Sequence, residues 1–296
     1  MMKRAYAALA SMACLLSAGS ALAAQPTPWQ MDFQPAATQV MEQINWFEDF
    51  TLWFIVPITL FVLVLLILVV VKFRASANPV PSKTSHNTLI EIVWTAGPVL
   101  ILLALAIPSF QLLSLQLNMP QNPDVTIKAT ATQWQWNYEY EGGESPLSFD
   151  SYMLKDADRP AAGKVDLAAY PRLLAVDNEM VVPVGKTVRL LVTAAPTDVI
   201  HAFAMPAFGV KIDAVPGRLN ETWFKAEAEG MYYGQCSELC GKDHAFMPIG
   251  IRVVSEAQYT AWLAAAGNNL GEANKALMAS VESGSKAVDV AENVSK

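Results

Sequence analysis

The chain has 296 residues, of which 53% are hydrophobic and only 16% charged, and its formal net charge is −7. An average soluble domain carries ~25% charged residues, so part of this chain belongs in lipid. The acidic balance argues against nucleic acid and favours a basic partner.

Residues 1–24 read as an export signal. Lys3 and Arg4 precede a short apolar stretch, and Ala21-Leu22-Ala23 is a small-residue cleavage motif, with the cut after Ala23 or Ala24. Removing the signal leaves 18 basic and 27 acidic residues, and it takes Cys14 with it, so that Cys236 and Cys240 remain. An N-terminal segment, 25–49, leads into two uncharged apolar runs at 50–71 and 92–113. Each run spans ~33 Å as a helix, enough to cross a bilayer core of ~30 Å. The segment before the first run holds Asp32, Glu42, Glu48 and Asp49 and no Lys or Arg, whereas the intervening loop holds Lys72, Arg74 and Lys83 and no acid. The positive-inside rule puts that loop in the cytoplasm and both mature ends, with the rest of the chain, in the periplasm.

From 119 to 255 the pattern changes to short β-segments between turn residues, at 125–130, 133–140, 173–177, 181–184, 187–193, 200–205, 222–226, 231–235 and 249–254. Many short strands at close spacing predict an all-β sandwich or barrel. A C-terminal helix is expected over 256–266, opened by Ser255 and Gln258 as a capping box. The tail at 267–296 is rich in Ala, Ser, Asn and Lys and reads as weakly ordered.

The chemistry concentrates in Gly234-Gln235-Cys236-Ser237-Glu238-Leu239-Cys240-Gly241-Lys242-Asp243-His244-Ala245-Phe246-Met247-Pro248. Cys240, His244 and Met247, with upstream His201, complete a mononuclear copper set of one thiolate, two imidazoles and an axial thioether. Cys236 is then a surplus thiolate. Two coppers have a use for it: both sulfurs bridge the pair, each metal keeps one His, Met247 serves one axially, and a backbone carbonyl from Glu238 serves the other. Three alternatives stay open on the residues alone: a Cys236–Cys240 disulfide, a zinc site, and a mononuclear copper carrier with a spare thiol.

These residues resemble the copper-site loop of cytochrome c oxidase subunit II, closest to alphaproteobacterial forms. The likeness extends to Met31-Asp32-Phe33-Gln34-Pro35-Ala36, to His86-Asn87-Thr88, Glu91 and Trp94-Thr95, to Gln133-Trp134-Gln135-Trp136-Asn137-Tyr138-Glu139-Tyr140, and to Asp213-Ala214-Val215-Pro216-Gly217-Arg218. The resemblance implies a two-helix transmembrane hairpin in a bacterial inner membrane, followed by a cupredoxin-like domain with a binuclear Cu(A) centre. That centre takes electrons from cytochrome c and passes them to haem in subunit I, where oxygen reduction and proton pumping occur; subunit III is a further partner. It implies copper ligation by His201, Cys236, Cys240, His244, Met247 and the Glu238 carbonyl, and a Mg or Mn ion reached by the Glu238 side chain at the subunit I interface. Trp134 becomes the point where electrons enter, Glu91 the mouth of a proton-uptake path, and Asp213 and Arg218 contacts to subunit I. Gln135 departs from the family's usual Gln-Trp-Tyr-Trp and alters only the rim of the docking patch.

Strand alternation sets Trp134, Trp136, Tyr138 and Tyr140 on one face, which packs inward if it is ordinary core. Glu139, Glu141, Glu144, Asp150, Asp177 and Asp198 are candidates for an acidic docking face for cytochrome c. A quinol oxidase subunit II would lack the copper ligands, nitrous oxide reductase lacks two N-terminal spans of this kind, and covalent haem would need a Cys-x-x-Cys-His motif that is absent after Met247. A membrane-anchored copper-delivery protein is the competitor from another class.

Overall fold

The structure is a computed structural model that describes residues 24–142 and 147–294; the export signal read at 1–24 lies outside it except for Ala24. Two compact units make up the chain, one from residues 42–118 and one from the residues up to 41 together with 119 onward.

The first unit is two long helices, α1 (Gln39–Lys72) and α2 (Thr88–Leu117). At 34 and 30 residues they run ~51 and ~45 Å, longer than a bilayer core. Both extend beyond the uncharged runs 50–71 and 92–113 read from the sequence. Asn87 caps α2, its Oδ1 accepting from the N–H of Ile90 at 3.2 Å. The apolar stretches of both helices are exposed along their length. A surface of that extent is stable only when lipid or partner helices cover it.

The second unit is a β-sandwich. One sheet has the order β3-β2-β1-β5-β8 and the other β4-β10-β9-β6-β7. The strands are β1 Val125–Thr132, β2 Gln135–Glu141, β3 Leu147–Ser151, β4 Met180–Pro183, β5 Val188–Ala194, β6 His201–Met205, β7 Val210–Ala214, β8 Asn220–Phe224, β9 Gly230–Cys236 and β10 Pro248–Val254. Pairing is antiparallel except for β1 with β5 and β4 with β10. Strand alternation sends Ile127, Ala129, Trp136, Tyr138, Phe203, Met205, Ile249 and Ile251 into a common core.

Two strands, β3 and β7, carry weak local signals and were not expected. The segment 173–177 makes only an isolated bridge, Met153 to Val176. It is held instead by a buried charge cluster that follows the short helix α3 (Arg159–Ala162). Lys164 Nζ lies 2.6 Å from Glu179 and 2.8 Å from the carbonyls of Val176 and Asp177, and Arg252 lies 3.2 Å from Glu179.

Helix α4 (Glu256–Ala266) opens on the capping box formed by Ser255 and Gln258. The tail expected to be weakly ordered forms helix α5 (Leu270–Val294). Small residues let it seat closely: Ala273 and Leu277 are buried, Trp262 Nε1 donates to Asn274 Oδ1 at 2.8 Å, and Gln258 Nε2 donates to Ser280 Oγ at 3.2 Å. The packing of α5 on α4 supplies the order that composition alone did not reveal.

Residues 24–41 dock on the same unit. The Ala37 N–H donates to Ala207 O at 2.9 Å, and Thr38 Oγ1 donates to Phe208 O at 2.8 Å.

Candidate metal centre

One end of the second sheet gathers the chemistry. His201 opens β6 and Cys236 closes β9, where it is two strand partners from His201, because Phe203 faces Cys236 in the register. That close pairing depends on Gly234, where any Cβ would run into the carbonyl oxygen of Ala204. Cys240 follows in the loop between β9 and β10, His244 sits on the 3₁₀ turn His244–Phe246, and Met247 immediately precedes β10.

The donor atoms converge. The ligand atoms of His201, Cys236 and Cys240 all lie within 4.8 Å of one another. Cys236 Sγ is 3.9 Å from Cys240 Sγ and 3.9 Å from His201 Nδ1. Cys240 Sγ is 3.6 Å from His244 Nδ1 and 3.6 Å from Met247 Sδ. The Glu238 carbonyl joins them, 3.4 Å from Cys236 Sγ. His201, Cys236, Cys240 and Met247 are buried, His244 is half-buried, and the Glu238 side chain is exposed.

The chemistry of this set fits a copper pair. The cysteines are not bonded to each other. Their sulfurs stand at nearly twice the ~2.05 Å of a disulfide, so both remain available as ligands. Zinc has no use for the thioether of Met247, whereas a soft thiolate and thioether set suits copper. Burial would push both thiols up. At Cys236, the contacts with His201 and with the backbone of Glu238 and Ala202 outweigh burial and hold the thiol below its ordinary range. At Cys240, burial prevails and the neighbouring Cys236 adds to it, so this thiol is raised. Cys236 is thus the more readily ionised of the two thiols, and Cys240 would release its proton to solvent if a metal bound.

Two tryptophans frame the centre. Trp136 is fully buried, stands edge-on to His201 with ring centroids 6.5 Å apart, and sends Nε1 to Met247 O at 3.4 Å. Tyr138 and Tyr140 continue inward, as the aromatic-face expectation had it. Trp134 departs from that face, because it lies in the turn before β2 and not on the strand. It is half-buried against the metal loop. Its Nε1 donates to Cys240 O at 3.3 Å, and Lys242 Nζ stands 5.6 Å from its ring centroid. Gln135 is half-buried beside it.

The acidic candidates have differing surroundings. Glu139 pairs with Lys128 at 2.7 Å, and Asp150 accepts from Asn137 Nδ2 at 2.8 Å. Asp177 accepts backbone N–H groups from Tyr152 and Asn178, and Glu144 lies outside the described residues. Asp198 is 12% exposed and faces His201 Nε2 at 3.2 Å, so its carboxylate turns toward the candidate centre. Sequence reading missed this contact, although Asp198 stands three residues ahead of a candidate ligand His that opens a strand. Burial and the N–H groups of Val199 and Gln133 act against each other on its carboxyl. The N–H groups and His201 prevail and hold it below the usual carboxylate range.

Glu91 sits half-buried in the first turn of α2. Asp213 and Arg218 line an open polar pocket with Lys211 and Glu221, ≈ 660 Å³ in volume.

Two family descriptions match the chain: the transmembrane domain of cytochrome C oxidase subunit II over residues 26–112, and its periplasmic domain over residues 125–254. The chain belongs to the cytochrome c oxidase subunit II family. A probable cytochrome c oxidase subunit 2 of Rickettsia bellii is 48% identical over 242 residues, which is 82% of this chain and 86% of that protein. Cytochrome c oxidase subunit 2 of Cereibacter sphaeroides is 45% identical over 250 residues, 81% of each. The crystal structure of the periplasmic domain of subunit II of cytochrome oxidase of Bradyrhizobium japonicum is 56% identical. It covers 52% of this chain and 99% of that one, with a TM-score of 0.44. As a member of this family the protein is a subunit of cytochrome c oxidase, an oxidoreductase complex, and combines transmembrane helices with a β-sandwich periplasmic domain.

Proposed function

We propose that this subunit carries a binuclear Cu(A) centre held by His201, Cys236, the Glu238 carbonyl, Cys240, His244 and Met247. The observation that carries it is the convergence of two unbonded thiols, two imidazoles and a thioether at one end of the sandwich. When bound, the copper pair supplies a one-electron relay between cytochrome c and the haem of subunit I. Cys236 and Cys240 would hold the pair as soft thiolates suited to one-electron exchange, and a filled donor set would leave substrate no place to bind.

The protein's own residues do the rest. The sandwich holds the donors rigid, and its buried core excludes water from the sulfurs. Trp134 is the point where electrons enter, because it alone among the tryptophans of the domain combines partial exposure with a hydrogen bond to a ligand residue. Glu139, Glu141 and Asp150 contribute to an acidic field that steers a basic cytochrome c, so association slows as salt rises. A salt-independent association rate argues against steering.

Subunits I and III cover the apolar helices α1 and α2, with the loop between them cytoplasmic and both mature ends periplasmic. The exposed Glu238 carboxylate is free to reach a Mg or Mn ion at the subunit I interface, and Asp213 and Arg218 meet that subunit. Glu91 feeds a proton-uptake path: Glu91→Gln slows turnover of the assembled oxidase and leaves the copper spectrum intact, and unchanged turnover removes it from the path.

The direct test is copper loading of the full-length chain in detergent. The expected product is purple and gives an electron-spin signal shared over two copper nuclei. A colourless, exchangeable copper(I) complex identifies a delivery protein instead.

A further inference from the structure

His201 is gripped from behind. Its Nε2 lies 3.2 Å from Asp198 Oδ1. An ionised carboxylate only accepts hydrogen bonds, so Nε2 carries the ring proton and Nδ1 keeps its lone pair. Nδ1 is the nitrogen that faces Cys236 Sγ, at 3.9 Å. The His201 side chain is fully buried and that of Asp198 is 12% exposed, which limits the water that competes for this bond.

The same carboxylate has other duties. Asp198 Oδ2 accepts from the backbone N–H of Gln133 at 2.9 Å, and Oδ1 accepts from the N–H of Val199 at 2.7 Å. Gln133 precedes Trp134, and its own Nε2 donates to Cys240 O at 2.7 Å. One side chain thus ties the His201 imidazole to the turn that presents Trp134, and that turn is tied in its own right to a second ligand residue.

We propose that Asp198 is a positioning residue of the metal centre, fixing the tautomer and aim of His201 and anchoring the Trp134 turn to it, an inference that rests on the binuclear copper centre proposed above. The chemistry is that of a metal-bound histidine whose second nitrogen donates to a carboxylate. The bond orients the ring and raises the basicity of the ligating nitrogen. A more basic ligand favours the oxidised metal, so weakening the bond raises the reduction potential. All the groups that meet the two carboxylate oxygens are N–H donors. An asparagine has one acceptor oxygen and one NH₂, so Asp198→Asn satisfies His201 or Gln133 but not both. Asp198→Ala satisfies neither.

The test uses the full-length subunit in detergent, loaded with copper, as wild type, Asp198→Asn and Asp198→Ala. Copper per chain is counted first on the wild type. Electron–nuclear double resonance then follows exchange of the ligand imidazole proton into heavy water. Reduction potential and copper retention against a chelator are measured beside it. The wild type is expected to keep a slowly exchanging ring proton. In Asp198→Asn the proton exchanges faster and the potential rises. In Asp198→Ala the slow proton is lost, the potential rises further, and copper retention falls by ~10- to 100-fold. Should Asp198→Ala not fold, proton exchange and potential in the near-isosteric Asp198→Asn decide the matter. Unchanged proton exchange and potential in the variants, with only cytochrome c association altered, overturns the proposal and returns Asp198 to a docking role. A wild type that takes up fewer than two coppers is a separate failure, that of the copper centre, and the count registers it before any variant is compared.

Discussion

The indole Nε1 of Trp134 donates to the carbonyl oxygen of Cys240 at 3.3 Å. A partly exposed aromatic ring is thereby connected, through one hydrogen bond and a few covalent bonds, to a thiol of the metal centre. Trp134→Phe keeps an aromatic ring and removes the bond. It is expected to cost the fold only ~1 kcal/mol, to leave the copper spectrum in place, and to slow electron uptake from cytochrome c. Rapid-mixing absorbance at the copper and haem bands measures that rate, and an unchanged rate removes Trp134 from the path.

Gly241 packs against the same indole. Its φ is +125°, and a Cβ there would stand 2.8 Å from Trp134 Cζ2. Gly241→Ala combines backbone strain with that collision. A loss of ~1–3 kcal/mol in stability is expected from the strain, together with a shifted copper spectrum as the loop from Cys240 to His244 yields. Denaturant titration and the visible spectrum report the two effects.

Glu179 is buried between Lys164 and Arg252, which lie 2.6 and 3.2 Å away. Burial alone would raise its carboxyl, but the two cations outweigh it and hold the group below the ordinary carboxylate range. A carboxyl lowered by folding contributes stability that is present above its unfolded pKa and is lost as pH falls through the folded value. The domain therefore weakens under acid, and Glu179→Gln removes that part of the pH dependence. The substitution also strands two buried cations and is expected to cost ~3–5 kcal/mol at neutral pH. Thermal melts across a pH series of wild type and variant provide the check.

Leu277 is 5% exposed, although it lies on a tail whose composition suggests disorder. Leu277→Ala should destabilise the β-domain by ~2–5 kcal/mol if α5 is an integral layer. A change near zero in a denaturation curve would mean that α5 contributes little.

The two long apolar helices and the cluster of candidate metal-binding side chains are legible because each rests on a strong local signal. Long uncharged runs have few soluble counterparts, and thiols, imidazole and thioether crowd into the loop from Cys236 to Met247. What was not legible depends on partners distant in sequence. Asp198 looks like any acid in a loop until the fold turns it onto His201. Lys164, Glu179 and Arg252 are ordinary charges along the chain, and only tertiary packing makes them one buried cluster. The last helix has small residues where large apolar ones would have announced it, and its order comes from contact with Trp262 and Gln258. Alternation in the sequence sets Trp134 on a strand face, but the chain turns there, and the strand begins one residue later.

The sharpest check is a count of copper and thiols on the same copper-loaded, full-length chain. Two coppers per chain, with neither Cys236 nor Cys240 recovered as a disulfide after denaturation under non-reducing, acid-quenched conditions, is the result expected here. A single copper, or a covalent bond between the two sulfurs in the loaded protein, would contradict it.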